Sequence, residues 1–81
     1  MSQSPKILVV DDLATNRLAI RLALRGIDAT IVEASNGFDA LSIALDEEFA
    51  LILLDVQMPE MDGFEVCERL AVNPQTAETP V

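Results

Sequence analysis

A doubly wound α/β domain on a parallel sheet is predicted from three features of the sequence. Short, wholly apolar runs recur, and two of them stop abruptly at aspartates. Between the runs lie helix-forming stretches with apolar residues at helical spacing. Run and helix then alternate three times, an order that implies right-handed crossovers and helices on both faces of the sheet.

The first run is Lys6-Ile7-Leu8-Val9-Val10, closed by Asp11-Asp12. It predicts a strand buried on both faces. Ala14 to Arg25 contains no Gly or Pro and reads as a helix. Arg17, Arg21 and Arg25 form one polar stripe on it, with Leu18, Ala19, Leu22 and Ala23 away from that stripe and Ile20 and Leu24 flanking it. So broad an apolar arc predicts burial on more than one side. Gly26 suits its C-terminal end. Ala29 to Glu33 is the second strand, and Ser35-Asn36-Gly37 is a turn and helix start. Ala40, Leu41, Ala44 and Leu45 repeat at helical spacing, with Asp39, Ser42 and Asp46 opposite. Leu51–Leu54 is the third strand, stopped by Asp55. Val56 to Met61 is a loop. Asp62 opens the third helix as its cap, with Glu65 three residues on. Phe64, Cys67, Leu70 and Ala71 are its expected apolar side, and Asn73-Pro74 ends it. Thr79-Pro80-Val81 reads as the approach to a further strand.

Composition bounds the function. The 81 residues fit one small domain, and 51% apolar content is too rich for a disordered tail. The longest apolar runs fall far short of the roughly 18 residues of a membrane span. Five basic residues stand against 14 acidic ones, a net charge of −9. That balance disfavours nucleic acid and anionic lipid as direct partners and is compatible with a cation site. Glu47, Glu48, Glu60, Glu65, Glu68 and Glu78 read as solubilising charge. The single cysteine, Cys67, offers no internal disulfide and reads as a buried, inert thiol. Met1–Pro5 is polar and lacks the apolar core of a signal peptide, so a cytoplasmic location is expected. With no histidine, a Ser-His-Asp triad, histidine metal ligands and a phosphohistidine are excluded on these residues.

Ligands of open parallel sheets sit beyond the carboxyl ends of the strands. Asp11 and Asp12 follow the first strand directly and Asp55 follows the third. If those strands are neighbours, three carboxylates converge and repel one another unless a cation intervenes. Hard oxygen ligands point to Mg²⁺, with Mn²⁺ as a substitute. A carboxylate beside such a cation can itself become a nucleophile toward phosphate. Acids also follow strands simply because strands end in loops.

The segment Leu53-Leu54-Asp55-Val56-Gln57-Met58-Pro59-Glu60-Met61-Asp62-Gly63 resembles the phosphoacceptor loop of the response-regulator receiver domains of two-component signalling. Ile7-Leu8-Val9-Val10-Asp11-Asp12 is similar to that family's first strand and acidic pair, and Glu33 to Leu41 to its second-helix entry. The resemblance runs from Lys6 onward. It implies a flavodoxin-like sheet with strand order 2-1-3. It implies that Asp55 accepts phosphate from a sensor histidine kinase or phosphotransfer protein. Asp11, Asp12, Asp55 and the backbone carbonyl of Gln57 would hold Mg²⁺. Such a domain is not an enzyme in the ordinary sense, because it catalyses only its own phosphorylation and dephosphorylation.

The resemblance further implies a Ser or Thr after a fourth strand and a Lys after a fifth. The sequence reaches Val81 before either position, and Lys6, its only lysine, precedes the first strand. The chain therefore reads as one incomplete receiver of three strand-helix units: residues 1–5 a flexible N-terminus, residues 72–81 a loop leading toward a fourth strand. On that reading the third strand has a bare outer edge, and a homodimer through this edge or the first helix is expected. A non-phosphorylatable interaction fragment is the alternative function. A haloacid-dehalogenase type of phosphatase is disfavoured, because it wants Asp-x-Asp where this chain has Asp11-Asp12-Leu13.

Overall fold

The structure, a computed structural model, describes residues 4–55, 58 and 62–81. Its elements are β1 (Lys6–Val10), α1 (Ala14–Ala23), β2 (Thr30–Ala34), α2 (Gly37–Asp46), β3 (Leu51–Leu54) and α3 (Gly63–Val72). The strands are parallel in the order β2-β1-β3, a flavodoxin-like arrangement. β1 is central because its unbroken apolar run can be buried on both faces; Leu8, Val9 and Val10 are all buried. In register, Val10 pairs with Ala34 of β2 and with Leu54 of β3, so all three strands end at one level.

Side chains alternate along β1 and divide the interior in two. Leu8 and Val10 join Ala34, Ala40, Ala44, Ile52, Met58, Val66 and Leu70 in the main core, under α2 and α3. Ile7 and Val9 face the α1 side. The crossovers explain the split: β1-α1-β2 steps one way across the sheet and β2-α2-β3 steps back, so right-handed connections put α1 and α2 on opposite faces.

Local chemistry fixes the ends. Asn36 caps α2 by accepting the Asp39 N–H at 2.8 Å, and Asp62 caps α3 by accepting the Glu65 N–H at 2.9 Å. α1 ends at Ala23, two residues before the expected Arg25, and Gly26 takes φ of 98°, where a side chain would be strained. β2 lies one residue later than its apolar run suggested. Beyond α3, Thr76 is buried and its hydroxyl donates to the Leu70 carbonyl at 2.8 Å. The chain then turns so that the Pro80 carbonyl accepts the Ile52 N–H at 2.9 Å. The outer edge of β3 is thus engaged at Ile52, where a bare edge was expected.

Two helix faces differ from expectation. α1 has no buried residue: Leu18 is 57% and Leu22 54% exposed, while Arg17, Ile20 and Leu24 are half-buried. Arg17, Ile20 and Leu24 are thus the more buried line of the helix, and its other apolar side, Leu18 and Leu22, is exposed. In α3 the buried face is Gly63-Val66-Leu70, while Phe64 is 66% exposed. Phe64 lies about 200° around the helix from Val66, so both cannot face the sheet. Ala71 is exposed, and Cys67 is half-buried rather than buried.

These packing differences set opposite expectations for two substitutions. Ile52→Ala should cost about 2–5 kcal/mol in urea unfolding, as a fully buried branched side chain does. Leu22→Ala should change stability by no more than about 0.5 kcal/mol. Equal losses at the two positions would mean that α1 is packed on its outer side.

Candidate functional site

The carboxyl ends of β1 and β3 bring three acids together. Leu54 pairs with Val10, and the ladder continues one step further as the Asp55 N–H donates to the Val10 carbonyl at 3.0 Å. On the other side the Asp11 N–H donates to the Ala34 carbonyl at 3.1 Å. Asp11 is thereby fixed at the sheet's end between both neighbours. One carboxylate oxygen from each of Asp11, Asp12 and Asp55 lies within 4.8 Å of the others. Asp11 is buried, at 7% exposure, and the other two are half-buried.

Asp11 is itself held. Its Oδ1 accepts the Leu13 N–H at 3.0 Å, a local turn bond that aspartate favours, and accepts Asn16 Nδ2 at 3.3 Å. Its main-chain carbonyl accepts Arg17 Nη1 at 2.7 Å. Arg17 Nε in turn donates to Glu33 Oε1 at 2.9 Å, and Arg21 Nη1 to Glu33 Oε2 at 3.2 Å. The N-terminus of α1 begins two residues after Asp12, so the positive end of its dipole lies close to the acids. An apolar-walled recess formed by Val10, Ile20, Leu53 and Leu54 opens beside Asp11 and Asp55.

Three of the four expected ligand positions therefore converge. The fourth, the Gln57 carbonyl, lies outside the described residues, as do Val56, Pro59, Glu60 and Met61 of the expected loop. Met58 is described and is buried in the main core. Three carboxylates at this separation, with one nearly dry, are unfavourable alone and form a hard-oxygen donor set suited to Mg²⁺ or Mn²⁺. Lys6 sits at the opposite end of β1 and donates to Glu47 Oε1 at 2.6 Å.

The sequence reading missed Asn16, Arg17 and Glu33 as supports of the site. By spacing alone Arg17 falls with Arg21 and Arg25 on one polar stripe. The signal lay in its position, five residues after Asp12 on the helix that starts there, with an acid near the end of the neighbouring strand.

A parallel sheet ordered 2-1-3, with three acids gathered at the carboxyl edge of the two strands that carry them, defines a doubly wound α/β protein with an acidic cluster at that edge. Comparison with known proteins makes this specific. The family model for the response regulator receiver domain matches residues 7–81, and the chain belongs to that family. It is 45% identical over 69 residues to a probable transcriptional regulator of Porphyra purpurea, covering 85% of this chain and 28% of that protein. It is 37% identical over 76 residues to an autoinducer 1 sensor kinase/phosphatase of Vibrio harveyi, covering 93% of this chain and 9% of that protein. Among solved structures, the N-terminal domain of a response regulator receiver protein from Methanoculleus marisnigri JR1 superposes with a TM-score of 0.88 at 33% identity, over 94% of this chain and 62% of that one. The chain thus spans less than two thirds of each of these proteins. Among the described residues no helix is long and apolar enough to cross a membrane.

Charge crowding at the edge can be measured. Without divalent cations, Asp12→Asn should raise the unfolding free energy by about 1–2 kcal/mol, because it relieves repulsion from both Asp11 and Asp55, each pair worth about 1 kcal/mol even in a water-like dielectric. Millimolar Mg²⁺ should stabilise the parent more than the variant. A variant less stable than the parent in chelator would show that Asp12 is held by attraction instead.

Proposed function

We propose that this chain is a phosphoacceptor receiver of a His-to-Asp phosphorelay, taking a phosphoryl group on Asp55. The observation that carries this reading is the convergence of Asp11, Asp12 and Asp55 at the carboxyl edge of β1 and β3. Asp11, Asp12 and Asp55 would hold a divalent cation, together with the Gln57 carbonyl that the family resemblance assigns. Such a cation, when bound, offsets the carboxylate repulsion and neutralises charge on an incoming phosphoryl group.

The remaining chemistry belongs to the chain. A carboxylate oxygen of Asp55 forms the new O–P bond while the N–P bond of a donor phosphohistidine breaks. The departing imidazole keeps the bonding pair and takes up a proton. The Asp55 main chain is fixed by the Val10 carbonyl, so the nucleophile is presented from the end of a strand rather than from a free loop. Asp11 and Asp12 bind and orient; they do not attack. The donor is a sensor histidine kinase or a phosphotransfer protein, a reading supported by membership of the receiver family and by relatives that include a sensor kinase/phosphatase. The chain modifies itself and turns over no separate substrate, and the reading places it in the cytoplasm with its donor.

Incubation with acetyl phosphate and Mg²⁺, followed by mass spectrometry, tests the assignment. One phosphoryl group on Asp55 is expected, dependent on the cation and lost in Asp55→Asn. Uptake should be slow in the 81 residues, whose only lysine lies at the far end of β1. Undiminished label in Asp55→Asn, or label that needs no divalent cation, would overturn the assignment. A chain that binds Mg²⁺ and never takes label would instead fit a receiver segment that docks without accepting phosphate.

A further inference from the structure

We propose that Arg17 is a positioning residue for the acidic site, with Glu33 as its anchor. The inference rests on reading Asp11, Asp12 and Asp55 as ligands of a divalent cation.

The geometry is a strut across three elements. Arg17 sits in the first turn of α1, and its side chain is only 17% exposed. One guanidinium nitrogen donates to the main-chain carbonyl of Asp11 at 2.7 Å, the shorter of its two bonds. Another donates to Glu33 of β2 at 2.9 Å. Arg21, one turn on, holds the second oxygen of the same carboxylate. Glu33 is therefore gripped from two sides, and Arg17 is aimed by it at the peptide between Asp11 and Asp12. That peptide is where the chain leaves β1 and must place two successive carboxylates. Its rotation would swing both carboxylates, and the Arg17 bond opposes that rotation. The Asp11 side chain is pinned separately by Leu13 and Asn16, so the main-chain carbonyl is the remaining degree of freedom.

Two physical effects of Arg17 oppose each other, which makes the proposal decidable. Its positive charge repels an incoming cation, so charge alone predicts tighter Mg²⁺ binding once it is removed. Its hydrogen bond orders the ligands, so positioning predicts weaker binding. Outer partners that orient metal ligands are typically worth about tenfold or more in affinity. Arg17 is mostly buried, so its repulsion of a cation is only partly screened and stands as a real opposing effect. A planar guanidinium also bridges a carbonyl and a carboxylate from fixed nitrogens, which an ammonium cannot reproduce.

The test is Mg²⁺ binding by calorimetry to the chain and to Arg17→Gln, Arg17→Lys and Glu33→Gln, with circular dichroism melts in chelator to follow folding. Arg17→Gln should bind Mg²⁺ about tenfold more weakly. Arg17→Lys, which keeps the charge, should remain weaker than the parent. Glu33→Gln should also bind more weakly; Glu33 is exposed on an edge strand, so this variant decides the matter if Arg17→Gln does not fold. Binding as tight as the parent's or tighter in Arg17→Gln, full restoration by Arg17→Lys, or unchanged binding in Glu33→Gln alone would overturn the inference. A parent that binds no Mg²⁺ overturns the cation site itself and the inference with it, a result distinct from variants that match a binding parent.

Discussion

Pairing β1 on both sides is the constraint from which the acidic edge follows. A central parallel strand has water on neither face, so it must be apolar from Ile7 to Val10, and charged residues are confined to its ends, Lys6 at one and Asp11 at the other. The register then leaves no choice about what lies beside it. Val10 is level with Leu54 and with Ala34, so Asp11 and Asp55 emerge together. A slip of one residue in the β1–β3 pairing would reverse the faces of Leu51–Leu54 and pull Ile52 out of the core that α2 and α3 cover. The burial of Ile52 and the meeting of the aspartates are thus consequences of one register.

That arrangement sets stability against binding. Three carboxylates within 4.8 Å repel, and burial of Asp11 strengthens the repulsion by lowering the local dielectric. Several features of the fold oppose it: the N-terminus of α1, the Leu13 amide and Asn16 on Asp11, and the Arg17 guanidinium on the adjoining carbonyl. Each acts on Asp11, the most buried of the three. Residual strain in the metal-free state is differential free energy that a divalent cation can recover on binding.

Much of this was legible in the sequence, for reasons that differ by element. β1 and β3 were clear because a short apolar run that halts at an acid has few other readings. The cap at Asp62 and the helix start at Ser35-Asn36-Gly37 were clear because side-chain capping and turn formation are local chemistry. The convergence of Asp11, Asp12 and Asp55 needed strand adjacency, which came from the family resemblance and not from the residues alone. The helix faces were less legible. In α1 a broad apolar arc permits several orientations, and the ion pair between Arg17 and Glu33 selects one of them. In α3 the expected apolar side was Phe64, Cys67, Leu70 and Ala71, and the phase that buries Gly63, Val66 and Leu70 excludes Phe64. The hydrogen bond from Ile52 to Pro80 is a long-range closure with no sequence periodicity to announce it.

The two faces of the sheet carry different duties. The side under α2 and α3 holds the contiguous core, Met58 included. The α1 side holds less apolar burial and more directed polar contact: Arg17, Arg21 and Glu33 knit α1 to β2 where Leu18 and Leu22 stay exposed. Apolar burial is non-directional, and where little of it acts, as on α1, a fork of charge-assisted hydrogen bonds adds the geometric specificity. The helix whose first residues follow Asp12 is oriented by that fork. The orientation of α1 and the placement of Asp11 and Asp12 are consequently one variable, with Glu33 on β2 as its fixed point.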